Sequence, residues 1–271
     1  MQNKLGLHDP VPGQIPLRLA TYIKPSALPT PPETFGHMQL VDVWGMLGNG
    51  PGPDNPPQIP DGVGDCAIAG PEHQIMLNCK ISGRSVSFNT ATTIDNYSEI
   101  TGYVLGDQST DNGTAIDAMA AHWQSVGFKD DNGDRHQVVA FVDLNPGDLR
   151  ELWVAMYLFG SVGLGFDLPD TAEEQTANGQ PWDVIPGANV IGGHYVPVFN
   201  KVNDGLNVGV SWGQPQPFTS RFFQEYNNQG VVVLDEEMLV NAKSIDGFDD
   251  AQLRDDIHQL GVQRRHRHWW Q

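Results

Sequence analysis

Cysteine is scarce in this chain: Cys66 and Cys79 are the only two in 271 residues. A chain of this length builds a core without disulfide staples. If both cysteines lie on one helix, 13 positions at ~1.5 Å of rise put them roughly 20 Å apart, far beyond the ~7 Å Cα separation that a disulfide tolerates. They are expected to be free thiols of a reducing compartment. No two-cysteine pattern suggests structural zinc, no glycine-rich phosphate loop is present, and neither metal nor cofactor is expected. Long apolar runs are also missing. Nothing reaches the ~18 residues of a bilayer span, and residues 1–10, MQNKLGLHDP, lack the apolar stretch of a signal peptide. A cytoplasmic setting without a membrane partner is the expectation. Positive charge is scarce as well: 15 Lys and Arg stand against 33 Asp and Glu, a formal net charge of -18. Such a body repels nucleic acid and anionic membranes.

Proline is plentiful but unevenly placed. Of the 20 prolines, twelve fall in residues 1–60, a density that resists helices and central strands. Residues 1–60 are expected to form an extended arm over a folded body of residues 61–246, followed by a C-terminal helix and tail in 247–271. Within the arm, residues 40–48 (LVDVWGMLG) are apolar enough to be buried, and residues 49–61 read as a loop. From Cys66 the pattern is helical to Gly83, with Pro71 predicting a kink or a short first segment. Further helices are predicted over 92–104, 114–126 (Thr114 and Asp117 as a capping pair) and 145–159 (Asn145-Pro146 as cap and first turn). Val162, Leu164, Phe166 and Leu168 then alternate with period two. Strands follow at 195–202 and 206–212 around the turn Asn203-Asp204-Gly205, then a short helix at 218–226 and a strand at 231–234. Helices first and sheet second define an α+β fold.

Two places carry chemistry. Gly64-Asp65-Cys66-Ala67 sets a thiol in the first turn of a helix, where unpaired N–H groups and the helix dipole favour a thiolate and can receive an oxyanion. Gly192-Gly193-His194-Tyr195 sets an imidazole at a strand after two glycines. The separation of 128 residues is close to the ~130–150 between nucleophile and base in papain-type thiol hydrolases. A helix-borne cysteine facing a strand-borne histidine lets the ring take the thiol proton. The third feature is Ser211-Trp212-Gly213 on the strand that pairs with the histidine strand.

With these residues in view, the chain resembles the papain superfamily, over about residues 61–240. Its pattern is most similar to papain-like proteins encoded by tailed bacteriophages of actinobacteria, in Trp44-Gly45-Met46-Leu47-Gly48-Asn49, Gly64-Asp65-Cys66, Gly192-Gly193-His194 and Trp212-Gly213. The resemblance implies an N-terminal helical part whose nucleophile helix packs on a C-terminal antiparallel sheet. It implies Cys66 as nucleophile, His194 as general base, and Gly193 and Trp212 along the path of a peptide or protein substrate. The chain also departs from the family. Asp65 and Ala67 flank the cysteine, and Val210 stands where an orienting asparagine is expected, which leaves a backbone carbonyl, a water or Gln214 to hold the ring. The oxyanion glutamine falls at Pro60; Asn49 is the first substitute and Gln58 the next.

Other features are weaker. Asp130, Asn132 and Asp134 imitate a calcium loop, but Arg135 and Phe141 occupy its glycine and glutamate positions, so a polar turn is expected. His73 lies on the Cys66 face of the same helix and reads as a core or surface histidine. Residues 263–271 (QRRHRHWWQ) read as a solvated or docked tail, or as a contact for an acidic partner. Two functions compete: a cysteine peptidase or related amide hydrolase working through an acyl-thioester, and a structural or assembly protein of a phage particle on the same fold, with phage structural proteins as partners. A cell-wall amidase is a third reading, without a wall-binding repeat to support it.

Overall fold

The computed structural model describes residues 3–11, 14–24, 30–235, 251–255 and 258. In chain order its elements are α1 (Leu19–Tyr22), β1 (Phe35–Gly36), α2 (Cys66–Ile81), α3 (Thr90–Thr101), α4 (Ile116–Ser125), β2 (Phe128–Lys129), β3 (Arg135–His136), β4 (Ala140–Leu144), α5 (Leu149–Phe159), β5 (Val162–Pro169), α6 (Thr171–Ala177), β6 (Val190–Asn203), β7 (Leu206–Ser211), β8 (Gln214–Thr219), α7 (Ser220–Tyr226) and β9 (Asn227–Leu234). The C-terminal residues 263–271 lie outside the described residues.

The α+β expectation holds. Among the described residues one antiparallel sheet runs β4-β9-β5-β6-β7-β8, and β1 joins the outer half of β6; β2 and β3 form a separate hairpin. Helix α2 packs across β6. The sheet separates two apolar clusters. On one side Val196 and Val198 of β6 meet α5 and α7 through Leu152, Ala155, Phe222 and Phe223. On the other, Tyr195 meets Cys66, Ala67, Ile68 and Ala69 of α2, together with α3 and α4. Alternation along β6 therefore feeds both faces.

Contact between α2 and β6 is intimate because Gly70 has no side chain. A Cβ there would lie 2.3 Å from the Tyr195 ring. The Tyr195 hydroxyl donates to Gln74 Oε1 at 2.7 Å, and Gln74 Nε2 donates to Ser161 Oγ at 3.0 Å, all buried. This chain of polar contacts fixes the helix that carries Cys66 against the strand that carries His194.

Several local expectations are corrected. Pro71 does not end a short first segment, since α2 continues past it from Cys66 to Ile81; burial of its flanks from Cys66 to Ile75 outweighs one missing hydrogen bond. Asn89, whose side chain accepts the Thr92 N–H, starts α3 two residues early, and left-handed Gly102 stops it. Thr114 does not cap α4, since its N–H and C=O are bonded to residues 6 and 8 of the arm. Helix α5 begins after Asp148, which accepts the Glu151 N–H. Phe218 lies in β8, and α7 starts at Ser220, capped by Thr219. Residues 40–48 are only partly covered: Trp44 and Leu47 are buried, whereas Val43 is 75% exposed. Asp130 folds back on the N–H groups of Asn132 and Asp134 and meets His136, a polar turn.

Candidate active site

Cys66 is the first residue of α2, after Asp65 at the N-cap. Its sulfur accepts the Tyr195 N–H at 3.5 Å, and the N–H groups of Tyr195, Gly6 and Ala67 all favour its ionised form. Burial outweighs them. With the residue only 2% exposed, loss of water pushes the thiol up to about 11, so it is protonated at neutral pH. Burial likewise pulls the His194 imidazole down to about 3. The two groups are thus a neutral pair, not an ion pair.

His194 lies inside β6, which starts four residues earlier than a strand opened by the histidine would. Its Nε2 is 2.9 Å from Ser211 Oγ, and its Nδ1 is buried without a partner. Trp212 stacks on the ring at 4.9 Å and 26°, and Trp182 meets it edge-on at 6.4 Å. Cys66, His194, Asn49, Ser211 and Trp212 line one cavity of about 10 Å³, room for roughly one water. The structure brings the sulfur and the imidazole onto this cavity without a hydrogen bond between them.

Of the oxyanion candidates, Asn49 reaches the cavity; it is 3% exposed and donates from Nδ2 to Val63 O at 3.3 Å. Gln58 and Pro60 are exposed on the loop. Gln214 is also exposed, which corrects its suggested role in holding the ring. Val210 turns into an apolar cluster with Trp44 and Phe199. His73 is a core histidine: its Nε2–H donates to the carbonyls of Trp44 and Gly45 at 3.0 and 3.2 Å, and burial lowers it to about 4. Cys79 is a second free, buried thiol at the far end of α2.

The arm crosses the site. Leu7 N–H donates to Gly193 O at 3.1 Å, His8 N–H to Thr114 O at 3.0 Å, and Thr114 N–H to Gly6 O at 2.8 Å. Gly6 passes so close to the segment before Cys66 that a Cβ on it would lie 1.7 Å from Gly64 O. Gly193, an expected substrate contact, therefore holds Leu7. The wall opposite is braced by Asp111, which accepts the Gly64 N–H at 3.0 Å and the Tyr97 hydroxyl at 2.8 Å. Asp65 is fully buried; desolvation first, and Glu72 and Asp111 next, hold its carboxyl well above the usual range, with the Asn49 amide drawing it back. Ser211 and Asp65 stood inside sequence motifs without a role of their own, and Tyr97, Asp111 and residues 5–8 were not singled out from the sequence. The Leu5-Gly6-Leu7 run in a proline-rich stretch and Asn112-Gly113-Thr114 were the available signals.

An α-helix opening on a cysteine, packed against an antiparallel sheet that carries a histidine and then a Trp-Gly turn, is the architecture of papain-like cysteine proteases, and this chain has that fold. Among solved structures it is similar to xylellain, a cysteine protease from Xylella fastidiosa, with a TM-score of 0.61 and 12% identity over 87% of this chain and 98% of that one. It is also similar to procathepsin B S9 from Trypanosoma congolense, with a TM-score of 0.59 and 10% identity over 86% and 87%. The likeness is one of fold. No protein-family model matches the sequence, and no curated protein matches it. Among the described residues no helix is long and apolar enough to cross a membrane.

Proposed function

We propose that the chain is a thiol peptidase, or a related amide hydrolase, with Cys66 as nucleophile and His194 as general base. The observation that carries this reading is that the sulfur and the imidazole share one cavity while the free ring nitrogen, Nδ1, is the one without a partner. In the reaction the thiol proton passes to Nδ1 as sulfur adds to the substrate carbonyl. The negative oxygen is received by N–H groups at the start of α2 and by the Asn49 amide. The tetrahedral species collapses to an acyl-thioester as the imidazolium returns the proton to the departing amine, and water then releases the acid. Gly193 and Trp212 would flank an extended peptide, along the path that residues 5–8 fill now. In this reading residues 61–246 form the catalytic body and residues 1–60 its arm.

Replacement of Cys66 by Ser is expected to reduce hydrolysis of a mixed peptide library by at least about 10³-fold with an unchanged circular dichroism spectrum, whereas Cys79→Ser leaves it unaltered. Hydrolysis that survives Cys66→Ser overturns the assignment.

A second reading is a catalytically weak or inactive structural or assembly protein of a phage particle; its inactivity, though not the phage setting, is favoured by the closed state: a protonated thiol, a one-water cavity and an arm bonded into place. Alkylation with iodoacetamide at pH 6 separates the two. An enzyme labels Cys66 much faster than Cys79 once the arm is displaced, whereas equal, slow labelling in both arm states supports the structural role.

A further inference from the structure

A base that takes a proton through Nδ1 must carry its own proton on Nε2, and whatever partners Nε2 sets that tautomer. Among the described residues around His194 a single polar group does so: Ser211 Oγ, at 2.9 Å. The residue one position earlier cannot, because Val210 faces the apolar cluster of Trp44 and Phe199. Strand alternation is the cause: β7 turns Val210 to one face and Ser211 to the other. The chain then leaves the strand abruptly. Trp212 takes a left-handed φ of 48°, which is uncommon for a bulky residue, and its indole stacks on the ring just anchored. Gly213 follows with φ of 72°, against the Gly45 carbonyl.

We infer that Ser211 is the positioning residue for His194: its hydroxyl oxygen accepts the Nε2–H and leaves the Nδ1 lone pair facing the Cys66 cavity. The inference rests on the Cys66–His194 reading above. The opposite tautomer would bury an N–H on Nδ1 with nothing to receive it, costlier than an unfilled lone pair. With the Trp212 stack fixing the plane of the ring and Ser211 fixing its rotation, the orienting function sits one residue later than the family pattern places it. A serine hydroxyl holds the ring without charge, so it directs the base more than it stabilises an imidazolium.

The experiment is ¹⁵N NMR of histidine-labelled full-length protein, with the His194 signals assigned through His194→Gln, alongside kinetics on the peptide library. The expected result is a wild-type ring protonated at Nε2, and in Ser211→Ala a mixture of tautomers with a kcat lowered about 10- to 100-fold, as for a lost buried hydrogen bond, and KM within about threefold. Ser211→Thr, which keeps the hydroxyl, restores both. A thermal melt of Ser211→Ala checks the fold, and the Thr variant carries the comparison if it fails. A wild-type ring protonated at Nδ1, or a tautomer indifferent to Ser211→Ala, overturns the inference. An Nε2–H ring in a protein without hydrolytic activity leaves the inference standing and overturns the peptidase reading instead.

Discussion

The two walls around Cys66 are built in opposite ways. Behind the sulfur, α2 is seated by side chains: the Tyr195 ring of β6 against Gly70, its hydroxyl on Gln74, Gln74 on Ser161 just before β5, and Glu72 held by Thr93 and Asn96 of α3. In front, residues 6–8 are held by three main-chain hydrogen bonds to Gly193 and Thr114, with the buried Leu7 side chain and the His8 ring on the Asn112 carbonyl beside them, and Gly6 brings no side chain at all. A wall of interlocked side chains is specific to its sequence and fails as a unit. A wall built mainly of main-chain bonds, with Leu7 as its one buried apolar anchor, makes fewer demands on sequence. The rear wall therefore fixes the geometry of the pair, and the front wall is the one that can be exchanged.

The contrast can be broken at the rear first. Gly70→Val drives a branched side chain into the Tyr195 ring and is expected to cost more than about 3 kcal/mol, measured by urea denaturation; a small cost would mean that α2 and β6 can separate without penalty. Gly6→Ala tests the front. A Cβ 1.7 Å from a backbone oxygen unseats the arm, so the fold survives while water reaches the sulfur. Cys66 alkylation at neutral pH should rise about tenfold or more as desolvation is relieved, with Cys79 unchanged; an unaltered rate would show that something other than the arm seals the site. Tyr195→Phe strands the Gln74 carbonyl oxygen and should cost about 1–3 kcal/mol, read in the same denaturation assay.

The smallest effect sharpens the rear wall by pH. Burial raises the Glu72 carboxyl to about 8, above its ordinary 4.5, against the pull of Thr93 and Asn96. The folded chain then holds a proton that the unfolded chain has released, so this contribution is complete below about pH 4.5 and declines as pH rises toward 8. Glu72→Gln should flatten the urea midpoint across that window. His194 acts with the opposite sign: its folded value near 3 lies below the ordinary 6.5, so stability declines as pH falls below about 6.5.

The chemistry was more legible in the sequence than the boundaries were. Cys66 at a helix start, a histidine after two glycines and a tryptophan-glycine exit are local patterns, and period two marked β5 because Val162, Leu164, Phe166 and Leu168 all enter one core cluster. Helix ends depended on partners far along the chain: Thr114 was a plausible cap until the arm claimed its backbone, and Asn145-Pro146 gave way to Asp148. Ser211 was hidden because its role follows from strand parity together with the left-handed turn at Trp212, and neither is a residue pattern. The crossing of residues 5–8 was hidden for a related reason, since main-chain hydrogen bonds leave almost no trace in side-chain identity.

The placement of Gly6 and Leu7 has a kinetic consequence. They belong to the same chain as the sulfur they cover, so they are present at an effective concentration on the order of millimolar, whatever the dilution of the protein. A free peptide that relied on the same few main-chain bonds would lose that competition at ordinary cellular concentrations. Whatever reaches Cys66 must bring further contacts outside the strip that residues 6–8 occupy, or first draw the arm away by binding it elsewhere.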